Sequence, residues 1–366
     1  MNQDCEASQL DIIAISFTNR CNLSCTHCGY DHLNRNEEDE LGVDFFERIL
    51  AEGKAIGASA VNITGGEIFI RSDCEELIAK ACELGFYVTL ESNGTLLKNR
   101  HLDFLQDLGS RIRIAISLDG LSETVHDSIR GQNAFARTMP VLRKIAEKGI
   151  PARINTVMQK SNLNEIMPIA KFAVDNLGIG FRLLPFILEY GKGACACKTS
   201  GVSYETMRGV LEKDFFPFIR ERGHPQNITV GLNIALVPID IEGHLICPWG
   251  RSMIGVGPTG IASLCHVSNN HEAFVFGDLQ KQNLCEVWQK NKEPENFRSF
   301  DPDLLQGICG NCLARSVCRG GCRLNAFSVY KSFFAPDSQC QSVYDLGYFP
   351  EYALEDPKKD SSYPGQ

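Results

Sequence analysis

The sequence predicts an α/β protein in which six βα units build a parallel sheet, followed by a loop-rich, cysteine-rich extension. Two observations carry this reading. Between residues 11 and 184, short β-branched runs alternate with amphipathic stretches of helical length, the mark of βα units. From about residue 231 onward that alternation stops and closely spaced cysteines organise the chain. The strands are expected at 11–18 (DIIAISFT), 60–64 (AVNIT), 86–92 (FYVTLES), 111–118 (RIRIAISL), 151–158 (PARINTVM) and 179–185 (IGFRLLP). Helical periodicity fills the intervals, as in VDFFERILAEGKAIG, where Phe46, Ile49, Leu50 and Ala51 share one apolar face. Each strand ends in turn-type or polar residues: NRCNLSC, GGE, NGT, DG, QKSN and PF. Loops at the carboxyl ends of parallel strands build active sites, so these endings are expected to converge on one mouth.

The organisation that follows is a tail over 1–10, a βα region over 11–185, a linker over 186–230 containing EYGKGACACKTSG, a cysteine-rich domain over 231–350 and a tail over 351–366. A chain of 366 residues, 43% hydrophobic, can bury an ordinary core, which excludes a small disulfide-stapled scaffold. Sixteen cysteines, with neither a basic n-region nor a long apolar stretch in MNQDCEASQLDII, point to a reducing, cytoplasmic compartment. A net charge of -9 without a basic stripe argues against nucleic-acid partners. No run approaches the roughly 18 apolar residues of a membrane helix.

The first chemical signal is TNRCNLSCTHCGY, which places Cys21, Cys25 and Cys28 on the loop after the first strand as Cys-x3-Cys-x2-Cys. Three thiolates on one short loop can hold three irons of a cubane cluster and leave the fourth without a protein ligand. A zinc site of three cysteines with His27 or His32 is the chemical rival.

The triplet, with His27 in the usually aromatic place before Cys28, resembles the signature of the radical S-adenosylmethionine enzymes. That resemblance implies a partial (β/α)6 barrel and implies S-adenosylmethionine as a cofactor. TGGE (64–67) resembles the family's glycine-rich segment, in which the backbone at Gly65 and Gly66 and the Glu67 carboxylate would hold the methionyl ammonium. Ile68 follows where the family often has proline. ESNGT (91–95) resembles the ribose-contacting segment, with Ser92 and Asn93 as candidates. SLDG (117–120) and HDSIRG (126–131) resemble two further segments of the peptide-modifying branch, which puts Ser117 and Arg130 at the cofactor's polar end, Arg130 as a carboxylate partner.

Downstream, Cys247, Cys265, the run CGNCLARSVCRGGC (Cys309, Cys312, Cys318, Cys322) and Cys340 closely resemble the SPASM extension of these enzymes. The resemblance implies two auxiliary 4Fe-4S clusters, three in all. Cys247, Cys265 and Cys322 would hold the nearer one, and Cys309, Cys312, Cys318 and Cys340 the outer one. Seven thiolates are one short of two complete sets. Either the nearer cluster has an open iron, or Cys195, Cys197 or Cys285 completes it. His266 stands where sulfatase-maturing relatives place an aspartate, either as a catalytic base or as a donor to a cluster sulfur. Cys5, Cys74 and Cys82 receive no role, and Leu284, Val287 and Trp288 are expected to pack a helix.

The function expected is oxidative modification of a ribosomally made peptide by a 5'-deoxyadenosyl radical, with the auxiliary clusters accepting an electron. A low-potential donor such as flavodoxin or ferredoxin is implied. Only about ten residues precede the first strand, so no fused leader-binding domain is expected and a separate leader-binding protein, or none, would serve. The alternatives are oxidation or decarboxylation of a small molecule such as a sugar, nucleoside or tetrapyrrole, sulfatase maturation, and a bare electron carrier.

Overall fold

The computed structural model describes residues 9–30, 39–223, 226–241, 246–269 and 271–364; Cys5 and His32 lie outside them. The six expected strands are β1 (Ile12–Ser16), β2 (Ala60–Thr64), β3 (Tyr87–Ser92), β4 (Ile112–Ser117), β5 (Ala152–Val157) and β6 (Gly180–Leu184). They pair in sequence order, all parallel. Between them run α1 (Val43–Ala55), α2 (Cys74–Glu83), α3 (Asn99–Asp107), α4 (Glu123–Arg130), α5 (Ala134–Glu147) and α6 (Ile166–Lys171).

Side chains alternate across a strand, and here the two faces differ in chemistry. Ile13, Ile63, Leu90, Ile114, Ile154 and Phe181 are buried in the core with Phe46, Ile49, Leu50, Leu77 and Ile78 of the helices. The opposite face carries polar groups. The register sets Ser117 beside Asn155, Asn155 beside Arg182, and Arg182 beside Thr229, so these groups share one side of the sheet. A single cavity touches Thr64, Glu91, Ser117, Asn155, Leu184 and Gly231, so the sheet curls around it.

The segment expected as a linker is more regular than its composition suggests. It forms α7 (Gly193–Ser200), α8 (Tyr204–Val210), α9 (Phe216–Glu221) and a seventh parallel strand, β7 (Ile228–Val230), paired with β6. Three residues are too few for alternation to stand out in a sequence. The cysteine-rich region is joined to the sheet at its other edge. There β8 (Met253–Val256) pairs parallel with β1, and β9 (Ile261–Ser263) and β10 (Val275–Asp278) follow antiparallel.

Beyond the strands come α10 (Leu284–Lys290), α11 (Lys292–Arg298), α12 (Arg315–Cys318), α13 (Arg323–Tyr330) and α14 (Ser338–Asp345). Leu284, Val287 and Trp288 are fully buried, as packing residues should be. Phe274, Phe297, Phe327 and Phe333 interlock mostly edge to face and carry the apolar core of the sheet into this region, while Ile308, Cys309, Cys312, Cys340, Val343 and Phe349 form a second, separate cluster. No described helix is long and apolar enough to cross a membrane.

Candidate active site

At the carboxyl ends of the strands lies a cavity of about 460 Å3. Cys21, Cys25 and Cys28 line one part of its wall, and Cys247, Cys318 and Cys322 line another. Two cysteine groups separated by more than two hundred residues therefore face one chamber.

The first group is seated by the glycines after β2. Gly66 N–H donates to Thr18 O at 2.8 Å and Glu67 N–H to Arg20 O at 2.9 Å. A Cβ on Gly66 would stand 2.1 Å from Arg20 O and 2.9 Å from the Cys21 Cβ, so the close approach requires glycine. Both Gly65 and Gly66 line the cavity.

Glu67 is placed differently from the expectation. It is buried and does not line the cavity; its carboxylate accepts from Ser92 Oγ (2.8 Å), Asn93 N–H (2.8 Å) and Phe69 N–H (3.2 Å). These bonds turn it into a brace between the ends of β2 and β3, and burial raises its pKa above the usual carboxylate value. Ser92 and Asn93 do line the chamber. Asn93 Nδ2 donates to Asn22 Oδ1 at 3.0 Å, which ties the β3 ending to the cysteine loop.

Ser117, His27 and Arg130 also reach the chamber. Arg130 Nε donates to Asp119 Oδ2 at 2.7 Å, and its terminal nitrogen lies 3.9 Å from Cys25 Sγ. Asp119 also accepts from Val157 N–H at 2.8 Å. Burial, the largest single influence, would raise the Asp119 carboxyl, but the Arg130 guanidinium together with His27, His126 and the Val157 N–H outweighs it and holds the pKa below the ordinary 3.8. His27 Nδ1 lies 3.3 Å from the Gln159 amide, and burial lowers its pKa to about 4, so its ring is neutral at pH 7.

Removing Arg130 leaves Asp119 buried and unpaired. Arg130→Met is expected to cost about 3–5 kcal/mol in chemical denaturation at pH 7, with Arg130→Lys losing less. Because the folded carboxyl is depressed, the pair's contribution is full above pH 3.8 and is lost as pH falls through the lower folded value. A parent-to-variant gap unchanged from pH 7 down to pH 2 would contradict this.

The second group divides in two. Cys265 does not line the chamber, but it lies close enough to Cys247 and Cys322 to raise the pKa of both. Cys309, Cys312, Cys318 and Cys340 line a separate small void. Asp337, which the sequence did not single out, lines both spaces. Its carboxylate accepts from the backbone N–H of Cys322 (3.3 Å) and Cys340 (3.1 Å) and from Asn233 Nδ2 (2.8 Å), and its own N–H lies 3.3 Å from Cys309 Sγ.

The donor chemistry fits iron-sulfur clusters. Burial pushes Cys21 and Cys318 up to about 11, and Cys309 and Cys322 to about 12, so these thiols need an adjoining cation to ionise at neutral pH. Several sulfurs already accept N–H groups, from Leu23 to Cys21 (3.4 Å), Asn325 to Cys322 (3.4 Å) and the Asn233 side chain to Cys340 (3.3 Å). Hydrogen bonds of this kind tune cluster sulfurs. Among the described residues, no three His, Cys, Asp or Glu side chains gather at single-ion spacing.

The remaining candidates fall elsewhere. Cys195 and Cys197 sit on α7 and Cys285 on α10, and none of the three lines either thiol-lined space. His266 is outside the chamber too. Its turn, closed by Ser268 N–H to Cys265 O at 3.0 Å, brings the ring to 6.4 Å from that of Tyr30, and burial lowers its pKa. A direct role as base at a substrate is not what this placement offers. Tyr30, Glu91 and Asn155 line the chamber instead; Glu91 and Asn155 were legible only as polar residues at alternate strand positions.

Residues 15–173 match the family model of the radical SAM superfamily, and residues 247–313 match the SPASM iron-sulfur cluster-binding domain. An AdoMet-dependent heme synthase of Methanosarcina barkeri is 26% identical over 353 residues, covering 90% of this chain and 95% of its own. A PqqA peptide cyclase of Rhizobium meliloti is 25% identical over 337 residues, covering 88% and 84%. Streptococcus suis SuiB bound to precursor peptide SuiA superposes with a TM-score of 0.74 at 22% identity, covering 91% of this chain and 76% of SuiB. Native anSMEcpe with bound AdoMet gives 0.70 at 19%, covering 93% and 96%. At those identities the two structures share the fold.

Proposed function

The chain belongs to the radical S-adenosylmethionine enzymes that carry a SPASM domain, and from that premise we propose that it oxidatively modifies a ribosomally made peptide. The observation that carries this reading is the shared chamber: Cys21, Cys25 and Cys28 face the same space as Cys247, Cys318 and Cys322. Segment 11–185 would supply the first 4Fe-4S site through Cys21, Cys25 and Cys28. Segment 231–350 would supply two more, through Cys247, Cys265 and Cys322 and through Cys309, Cys312, Cys318 and Cys340, with 186–230 bridging them. When bound, these groups supply one-electron cleavage of S-adenosylmethionine, removal of a substrate hydrogen atom by the 5'-deoxyadenosyl radical, and acceptance of the electron left behind as a proton departs.

The chain's own residues would aim and shield that chemistry. Gly65 and Gly66 hold the cysteine loop, Ser92, Asn93 and Ser117 offer polar contacts to the cofactor, and Arg130 offers its remaining N–H edge to a carboxylate. Glu67 would act through Ser92 and Asn93, which it braces. Leu184, Phe186, Ile187 and Leu232 give the opposite wall an apolar surface that suits a bulky side chain and limits water. The electron donor would be a low-potential protein of the flavodoxin or ferredoxin class, in the cytoplasm.

PqqA peptide cyclases among the relatives support the peptide reading, and AdoMet-dependent heme synthases among them favour a tetrapyrrole as the second. Co-expression with the short open reading frames beside its gene, followed by mass spectrometry, separates them. A peptide that loses two hydrogen atoms per turnover is expected. Unmodified peptides alongside oxidative decarboxylation of an added tetrapyrrole would shift the assignment to the second reading.

A further inference from the structure

At the amino ends of the strands, opposite the chamber, the sheet encloses a second cavity of about 390 Å3 bordered by Pro151, Gly180 and Asn227. Three arginines line it: Arg113 from β4, Arg153 from β5 and Arg182 from β6. Each alternates with residues of the apolar core, so the strand pleat sends all three to the same side. Concentrating like charge in a chain of net charge -9 is costly unless something answers it.

The protein answers only part of it. Glu91 Oε1 lies 3.7 Å from an Arg153 nitrogen, and Arg153 Nε donates to Asn155 Oδ1 at 3.0 Å. Arg182 Nε and Thr229 Oγ1 are buried atoms without a hydrogen-bond partner, and the register places these two residues side by side. Burial first, then the charges of Arg182 and Arg113, lower the Arg153 pKa to about 10. Forked guanidinium donors beside a hydroxyl and the Gln226 and Asn227 amides form a donor-rich set, with Glu91 of the chamber the carboxylate nearest Arg153, the arrangement that accepts a tetrahedral oxyanion.

We propose that this cavity binds a small oxyanion of the phosphate class, at a site separate from the thiol-lined chamber. Arg153 links the two spaces, since Glu91 and Asn155 both line the chamber. The site is independent of the peptide reading above.

The test is thermal unfolding of the full, anaerobically reconstituted chain in chloride buffer, titrated with inorganic phosphate at constant ionic strength. A saturable rise in Tm is expected from the parent, and sodium acetate over the same range should not reproduce it. Arg182→Gln should lose the rise while melting, without phosphate, no lower than the parent, because a repelling charge is gone. Should Arg182→Gln fail to fold, Arg113→Gln at the exposed rim should weaken phosphate binding about tenfold. A parent without a saturable rise, an equal response to acetate, or a variant whose response matches the parent's would overturn the proposal.

Discussion

Replacing Cys21, Cys25 and Cys28 together by alanine is expected to reduce release of 5'-deoxyadenosine to background while leaving about two thirds of the reconstituted iron in place. The three thiols share one short loop after β1, and three thiolates leave one iron of a cubane without a protein ligand, where a cofactor's amino and carboxylate groups can bind. The loop's seat does not depend on the thiols. Gly66 and Glu67 fix it through Thr18 O and Arg20 O, and Asn93 fixes it through Asn22. The variant should therefore fold and still load the other two sites, since Cys309, Cys312 and Cys340 sit in an apolar cluster separate from that of the barrel. Iron determination and product chromatography on the same anaerobic sample check both halves. Retained cleavage, or loss of all iron, would refute the assignment of the first site.

Asp337→Ala is expected to strip iron from both auxiliary sites and spare the first. One carboxylate receives N–H groups of Cys322 and Cys340, which belong to different proposed clusters, and it also caps α14. Removing it leaves one Asn233 Nδ2 N–H and the Cys322 N–H without that acceptor in a partly buried place, at about 1–3 kcal/mol each. Loss of the N-cap adds about 0.5–2 kcal/mol. Together these reach at least about 2.5 kcal/mol, enough to loosen the backbone around Cys309, Cys322 and Cys340. Asp337→Asn keeps one acceptor oxygen and should retain more iron. Equal iron in parent and Asp337→Ala would show that the carboxylate does not hold the two sites together.

The grouping of Cys21, Cys25 and Cys28 on one wall of the chamber was legible because Cys21-x3-Cys25-x2-Cys28 is a short run whose reach is set by the chain itself, whereas Cys247, Cys265 and Cys322, distant in sequence, are brought together only by the fold. The six strands were legible because their apolar residues alternate or cluster over five or more positions. What escaped was made by contacts across the fold. Asp119 becomes Arg130's partner only when the β4 loop meets α4, and Asp337 becomes a junction only when α14 docks beside Cys322. Glu67 was placed at the cofactor from its motif, but the β3 ending supplies two donors, Ser92 Oγ and Asn93 N–H, and Phe69 N–H a third, that draw it inward. The arginines at 113, 153 and 182 stand in plain view as polar breaks in apolar strands; only the curl of the sheet gathers them.

An iron left open by Cys21, Cys25 and Cys28 would take S-adenosylmethionine as its ligand. Electron paramagnetic resonance of the dithionite-reduced, fully reconstituted chain tests it most directly. Adding S-adenosylmethionine should change the signal of one cluster and leave those of the other two, and the triple-alanine variant should lack the responsive signal. Spectra identical with and without S-adenosylmethionine in a preparation carrying its full iron would contradict the claim.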